Sequence, residues 1–154
     1  MTGAIAVFEG KVKGTVTFTE IGRNVCISLD LSGLKKNALH GFHVHECGDL
    51  SKGCESMCAH FNPYGKLHGG PNSAERHVGD LGNISSDAHG RARYSFCDNL
   101  IKIRGTRCNI IGRGLIIHAD PDDLGKGCHQ LSTTTGNSGK RMACAVIGHS
   151  STKV

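Results

Sequence analysis

The chain has 154 residues, 38% of them hydrophobic, with 22 glycines, three prolines, two tyrosines and no tryptophan. That length suits one domain, residues 1–154, with a sizeable core, and the glycines argue for tight turns over long helices. Eighteen basic against 13 acidic residues leave a net charge of +5, which attracts small anions, while the lack of interleaved aromatic rings excludes a single-strand nucleic-acid platform.

Met1–Phe8 carries no basic region followed by an apolar run and a cleavage site. No stretch approaches the roughly 20 apolar residues of a membrane span. A cytoplasmic location, with neither membrane nor nucleic acid as partner, is therefore expected. Val12, Gly14, Val16 and Phe18 alternate with Lys11, Lys13, Thr15 and Thr17, the two-residue period of a half-buried strand. Val25, Ile27, Leu29 and Leu31 repeat it against Cys26, Ser28 and Asp30. Further strands are expected over 91–97, 99–103, 115–118 and 142–148. Short alternating strands separated by turn residues read as an antiparallel sandwich or barrel. Two segments, 46–81 and 119–140, lack this rhythm and are rich in Gly, His, Asp, Ser and Thr. Irregular loops of such length in a small domain are functional or disordered; beside clustered histidines they are read as functional.

His43-Val44-His45 puts two imidazoles on one face of a strand, since residues i and i+2 point the same way. Such a pair can begin a zinc or copper site, although taken alone it reads equally well as two surface histidines. His60, His68 and His77, with Asp80 three residues on, add three nitrogens and a carboxylate, a donor set suited to tetrahedral zinc. Metal binding would also offset the entropy of ordering so polar a loop. His118 ends the apolar run Leu115-Ile116-Ile117, where a further copper ligand can sit.

The runs Gly41-Phe42-His43-Val44-His45-Glu46, His60-Phe61-Asn62-Pro63, His68-Gly69-Gly70-Pro71 and Arg76-His77-Val78-Gly79-Asp80-Leu81-Gly82-Asn83 resemble the copper/zinc superoxide dismutases. So do Ile111-Gly112-Arg113, His118 with Asp122-Asp123-Leu124-Gly125, Thr135-Gly136-Asn137, and Arg141 with Cys144. The resemblance implies an all-β fold, an eight-stranded antiparallel Greek-key sandwich or barrel with two long functional loops. It implies copper on His43, His45, His60 and His118, and zinc on His60, His68, His77 and Asp80, so that His60 is shared. Asp122 matches an outer carboxylate joining His43 to His68. Arg141, by itself an unremarkable surface arginine, would orient superoxide beside the copper. The implied reaction turns superoxide into oxygen and hydrogen peroxide by alternating Cu(II)/Cu(I) reduction and reoxidation. His60 would carry a proton, and zinc would be the structural partner.

By the same resemblance Cys54 and Cys144 form a disulfide; eight cysteines alone allow 105 full pairings and select none. Cys58 is read as a rival partner or a soft ligand, and Cys26, Cys97, Cys108 and Cys128 as thiols. Ile111, Gly112, Ile147 and Gly148 match dimer-contact segments, implying a homodimer, although Cys47 stands where the family usually has an aromatic residue. Gln130, Leu131 and Thr134 occupy places where the family often has an acidic pair and a lysine, so the response of rate to salt is expected to differ. A copper chaperone is left open as a partner. The alternative is a metal-binding domain without activity, or a chaperone's dismutase-like domain. The absence of a Cys-x-x-Cys motif, and the retention of every ligand and Arg141, argue against both.

Overall fold

The computed structural model describes residues 3–151. Among the described residues there are ten strands: β1 (Gly3–Glu9), β2 (Lys13–Ile21), β3 (Asn24–Ser32), β4 (Leu39–His45), β5 (Ser51–Cys54), β6 (Asp80–Ser85), β7 (Ser95–Asp98), β8 (Gly114–His118), β9 (Arg141–Val146) and β10 (Gly148–His149). The described residues contain no α-helix, only a short 3-10 turn over Glu55–Met57. Nine of the ten, all but β5, make the frame. One sheet runs β10-β1-β2-β3-β7 and the other β6-β4-β8-β9, all neighbours antiparallel. The β3–β7 and β4–β8 pairings join strands distant in sequence, the Greek-key crossovers.

The period-2 alternation explains the first sheet. Val16 and Phe18 on β2 and Val25, Ile27, Leu29 and Leu31 on β3 are all buried. They meet Phe42, Val44, Leu115 and Ile117 from the second sheet in one core, and full burial of each such large side chain contributes roughly 1.5–3 kcal/mol. Gly22, with φ +63°, takes the first place of the two-residue turn between the paired Ile21 and Asn24, a conformation that glycine adopts without steric cost.

Several expectations need correction. Residues 99–103 form no strand. The Asp98 carboxylate accepts the N–H groups of Leu100 and Ile101 and turns the chain, while Ile101 and Ile103 are still buried. The run expected over 91–97 is assigned as a strand only at β7, although Ala92 continues its register against Leu31. The final run divides at buried Ile147: β9 belongs to the second sheet and β10 pairs with β1 in the first. The buried Ile147 side chain belongs to the core. Cys26 and Cys97, read as thiols, face each other on β3 and β7 and are joined as a disulfide.

Candidate metal centre

Backbone irregularities occur where the histidines must be aimed. The β4–β6 register shifts between Gly41 and His43, and the β8–β9 register shifts between Ile117 and His118. Bulges of this kind commonly re-aim side chains beside active sites. β4 supplies His43 and His45, β8 ends on His118, and a single bridge sets His60 opposite His45. The ligand-capable atoms of His43, His45, His60 and His118 lie within 4.8 Å of one another, all buried.

Each ring of this group is fixed through one nitrogen. His45 Nδ1–H donates to the Cys58 carbonyl at 2.9 Å, His118 Nδ1–H to the Gly139 carbonyl at 3.2 Å, and His43 Nε2–H to Asp122 Oδ2 at 2.6 Å. The opposite nitrogens, His45 Nε2, His118 Nε2 and His43 Nδ1, together with His60 Nε2, are buried without a hydrogen-bond partner. A buried polar atom left unpaired costs about 1–3 kcal/mol, so four in one cluster form a donor set suited to a metal that accepts imidazole. Burial also pushes His43, His45, His60 and His118 towards the neutral form, His118 to about 4, and a neutral ring keeps its lone pair available.

A second set adjoins the first. Asp80 Oδ1 lies 2.9 Å from His60 Nδ1, 2.9 Å from His68 Nδ1 and 3.1 Å from His77 Nδ1. His60 Nδ1 and His77 Nδ1 are 3.2 Å apart. These spacings approach the edges of a tetrahedron around zinc, roughly 3.3 Å for ligand bonds near 2.0 Å. Asp80 Oδ2 is turned away, accepting the N–H groups of Gly69 at 3.0 Å and His77 at 2.8 Å. His43 also lies within reach of His60, His68 and Asp80, but its Nε2 is committed to Asp122, leaving His77 as the better fourth member. Burial opposes ionisation of Asp80, yet hydrogen bonds from His60, His68 and His77 hold its carboxyl far below the usual range.

Asp122 ties the two sets together. Its Oδ2 accepts from His43 and its Oδ1 accepts from His68 Nε2 at 2.8 Å. Burial opposes the charge on His68, but its contacts with Asp122 and Asp80 outweigh this and raise it to about 9. Gly136 packs so close that a β-carbon there would collide with Asp122 Oδ1 and His68 Nε2. Arg141 donates from Nη1 to the Cys54 carbonyl at 2.8 Å and from Nη2 to the Cys58 carbonyl at 2.6 Å. With His60 and His118 it lines a cleft of about 590 Å³. Leu131 and Thr134 line the same cleft, beside Glu55 and Lys140. Cys54 on β5 is joined to Cys144 on β9, which anchors the carbonyl that receives Arg141.

Two supports were not legible as such in the sequence. Asn83, there only part of a longer motif, clamps the backbone of Asp122. Arg76, buried, binds Asp98 Oδ1 at 2.7 Å and the carbonyls of Pro71, His77 and Val78, fastening the loop that carries His68 and His77 to the end of β7. His40 Nδ1–H donates to the His118 carbonyl at 2.8 Å.

The family description "copper/zinc superoxide dismutase (SODC)" matches residues 12–147. A protein named superoxide dismutase [Cu-Zn] from Paramecium bursaria Chlorella virus 1 is 64% identical over 146 residues, covering 95% of this chain and 78% of its own. Proteins of the same name from Yarrowia lipolytica and Schizosaccharomyces pombe are each 50% identical over 152 residues, covering 96% of this chain and 98% of theirs. A crystal structure described as the clock protein EA4 superposes with a TM-score of 0.91 at 45% identity, covering 95% of this chain and 93% of that one. The paired histidine sets and these matches together show that the chain belongs to the copper/zinc superoxide dismutase family.

Proposed function

We propose that His43, His45, His60 and His118 hold the copper and His60, His68, His77 and Asp80 the zinc of this superoxide dismutase. The observation that carries the assignment is the division of His60: its Nδ1 faces Asp80 and His77, while its buried Nε2 has no hydrogen-bond partner and belongs to the other cluster. Copper supplies the change of oxidation state that disproportionation requires, and zinc, which has none, supplies a fixed charge and geometry.

The chain's own groups do the rest. Arg141, held by two carbonyls, presents a positive, planar donor to an incoming superoxide. His60 takes a proton at Nε2 and returns it as peroxide departs. Asp122 fixes the rings of His43 and His68, and Asp80 Oδ1 gathers three imidazoles. His60→Ala, with both metals confirmed bound, is expected to lose most turnover; full turnover would refute the proton role.

We further assign residues 1–154 to one functional domain, because both sheets enclose one core. A homodimer is supported by the half-buried Ile111 beside Gly112 and by the exposed Leu50; sedimentation of the holoenzyme tests it. Four free cysteines suit a reducing compartment, which supports a cytoplasmic location and leaves a role for a copper chaperone. Among the described residues no helix is long and apolar enough to cross a membrane.

A further inference from the structure

Cys47 and Cys58 are neither ligands nor members of the two disulfides, yet their sulfurs lie 2.7 Å apart. That is closer than two unbonded thiols pack, though longer than the roughly 2.05 Å of a bonded pair. The backbone gives an independent sign. Cys58 has φ 65° and ψ −155°, a region open essentially to glycine and tolerated elsewhere chiefly at functional positions. A cysteine at this point brings its sulfur to Cys47, two residues beyond β4. Cys58 is exposed, and Glu55 and Ala59 on either side of it line the cleft. Its carbonyl receives both Arg141 and His45.

We propose that Cys47 and Cys58 are a peroxide-responsive dithiol that closes to a third disulfide beside the metal cleft. The oxidant is hydrogen peroxide, which the dismutase reaction releases there, so the proposal rests on that reading for its source of oxidant. The Cys58 sulfur attacks one peroxide oxygen; the O–O bond breaks, water leaves and a sulfenic acid remains. The Cys47 sulfur then attacks the Cys58 sulfur, the S–S bond forms and a second water leaves. Two thiols lose two electrons and two protons, and one peroxide becomes two waters. The bond ties the peptide that receives Arg141 and His45 to the segment that leaves β4 two residues after His45.

The test adds peroxide directly to the holoenzyme, so its outcome does not depend on turnover, and dismutation is assayed on the same sample. An equimolar dose is followed by alkylation and non-reducing digestion after Lys52 and Glu55, which separates Cys47, Cys54 and Cys58 into different peptides. The expected result is loss of two of the four free thiols, with the Cys47 and Cys58 peptides recovered joined and lighter by two hydrogens. Recovery of both as alkylated thiols, Cys58 as sulfinic acid, or Cys58 joined to another chain would each overturn the proposal. So would a C47S holoenzyme that loses two thiols as the parent does. Failure here with normal dismutation removes the dithiol and leaves the enzyme reading intact.

Discussion

Asn83 grips the backbone of Asp122 at both ends of one residue: its Oδ1 accepts the Asp122 N–H at 2.7 Å, and its Nδ2 donates to the Asp122 carbonyl at 2.9 Å. Asn83 is on β6 and Asp122 is in the loop after β8, so a sheet residue sets the carboxylate that aims a ring from each histidine set. Asp122→Asn keeps the shape but loses an acceptor for one ring. It is expected to weaken metal retention about 10–100-fold, read as metal content after dialysis against a graded chelator. Asn83→Ala should act in the same direction and less strongly. Unchanged retention in Asp122→Asn would show that the carboxylate is dispensable.

Arg141 is held by two carbonyls and faces the cleft. Arg141→Ala is expected to lower kcat/KM about 10–100-fold, the worth of a charged hydrogen bond to the substrate, with copper and zinc content unaltered. Arg141→Lys keeps the charge but not the fork and should fall between. A variant that loses metal instead would place the residue in the scaffold rather than in substrate binding.

The Cys54–Cys144 bond spans a separation of 90 residues, with Cα atoms 5.6 Å apart. By chain entropy, closing a loop of that size contributes about 4–5 kcal/mol. The Cys54→Ser, Cys144→Ser double variant should show this loss in denaturant unfolding of the apo form. It should also lower activity in the holo form, because the bond anchors the residue 54 carbonyl that accepts from Arg141. A loss below about 1 kcal/mol would mean that the unfolded chain is not constrained as the entropy model assumes.

Leu131 and Thr134 line the cleft where charges could act on an anion. Long-range attraction then falls to the remaining Lys140 and Arg141, opposed by Glu55. Thr134→Lys should raise kcat/KM at low ionic strength, and the gain should shrink towards physiological salt as the Debye length contracts to about 8 Å. Stopped-flow rates over a salt series read this directly; a gain independent of salt would contradict steering.

The strands with clean alternation, β2 and β3, were legible because one face is buried and the other meets water. β1 was not, since Ile5 and Val7 point outwards with apolar side chains and erase the period. β5 and the first two residues of β6 fell within 46–81, read as loop, because Ser51–Cys54 carries no apolar face and β6 begins on the carboxylate of Asp80. The candidate ligands were named through family motifs, and the structure brings those side chains together. The Asn83 clamp and the Arg76–Asp98 pair were not, because a polar side chain's partner distant in sequence leaves no local pattern. The Cys26–Cys97 bond was missed for a related reason: only the register of β3 on β7 makes the two residues neighbours.

The most direct test measures copper, zinc and superoxide dismutation on one purified sample, alongside His118→Ala. The account predicts one copper and one zinc per chain with rapid turnover in the parent, and zinc retained but copper and turnover lost in the variant. Zinc without copper in the parent, or both metals without turnover, would contradict it.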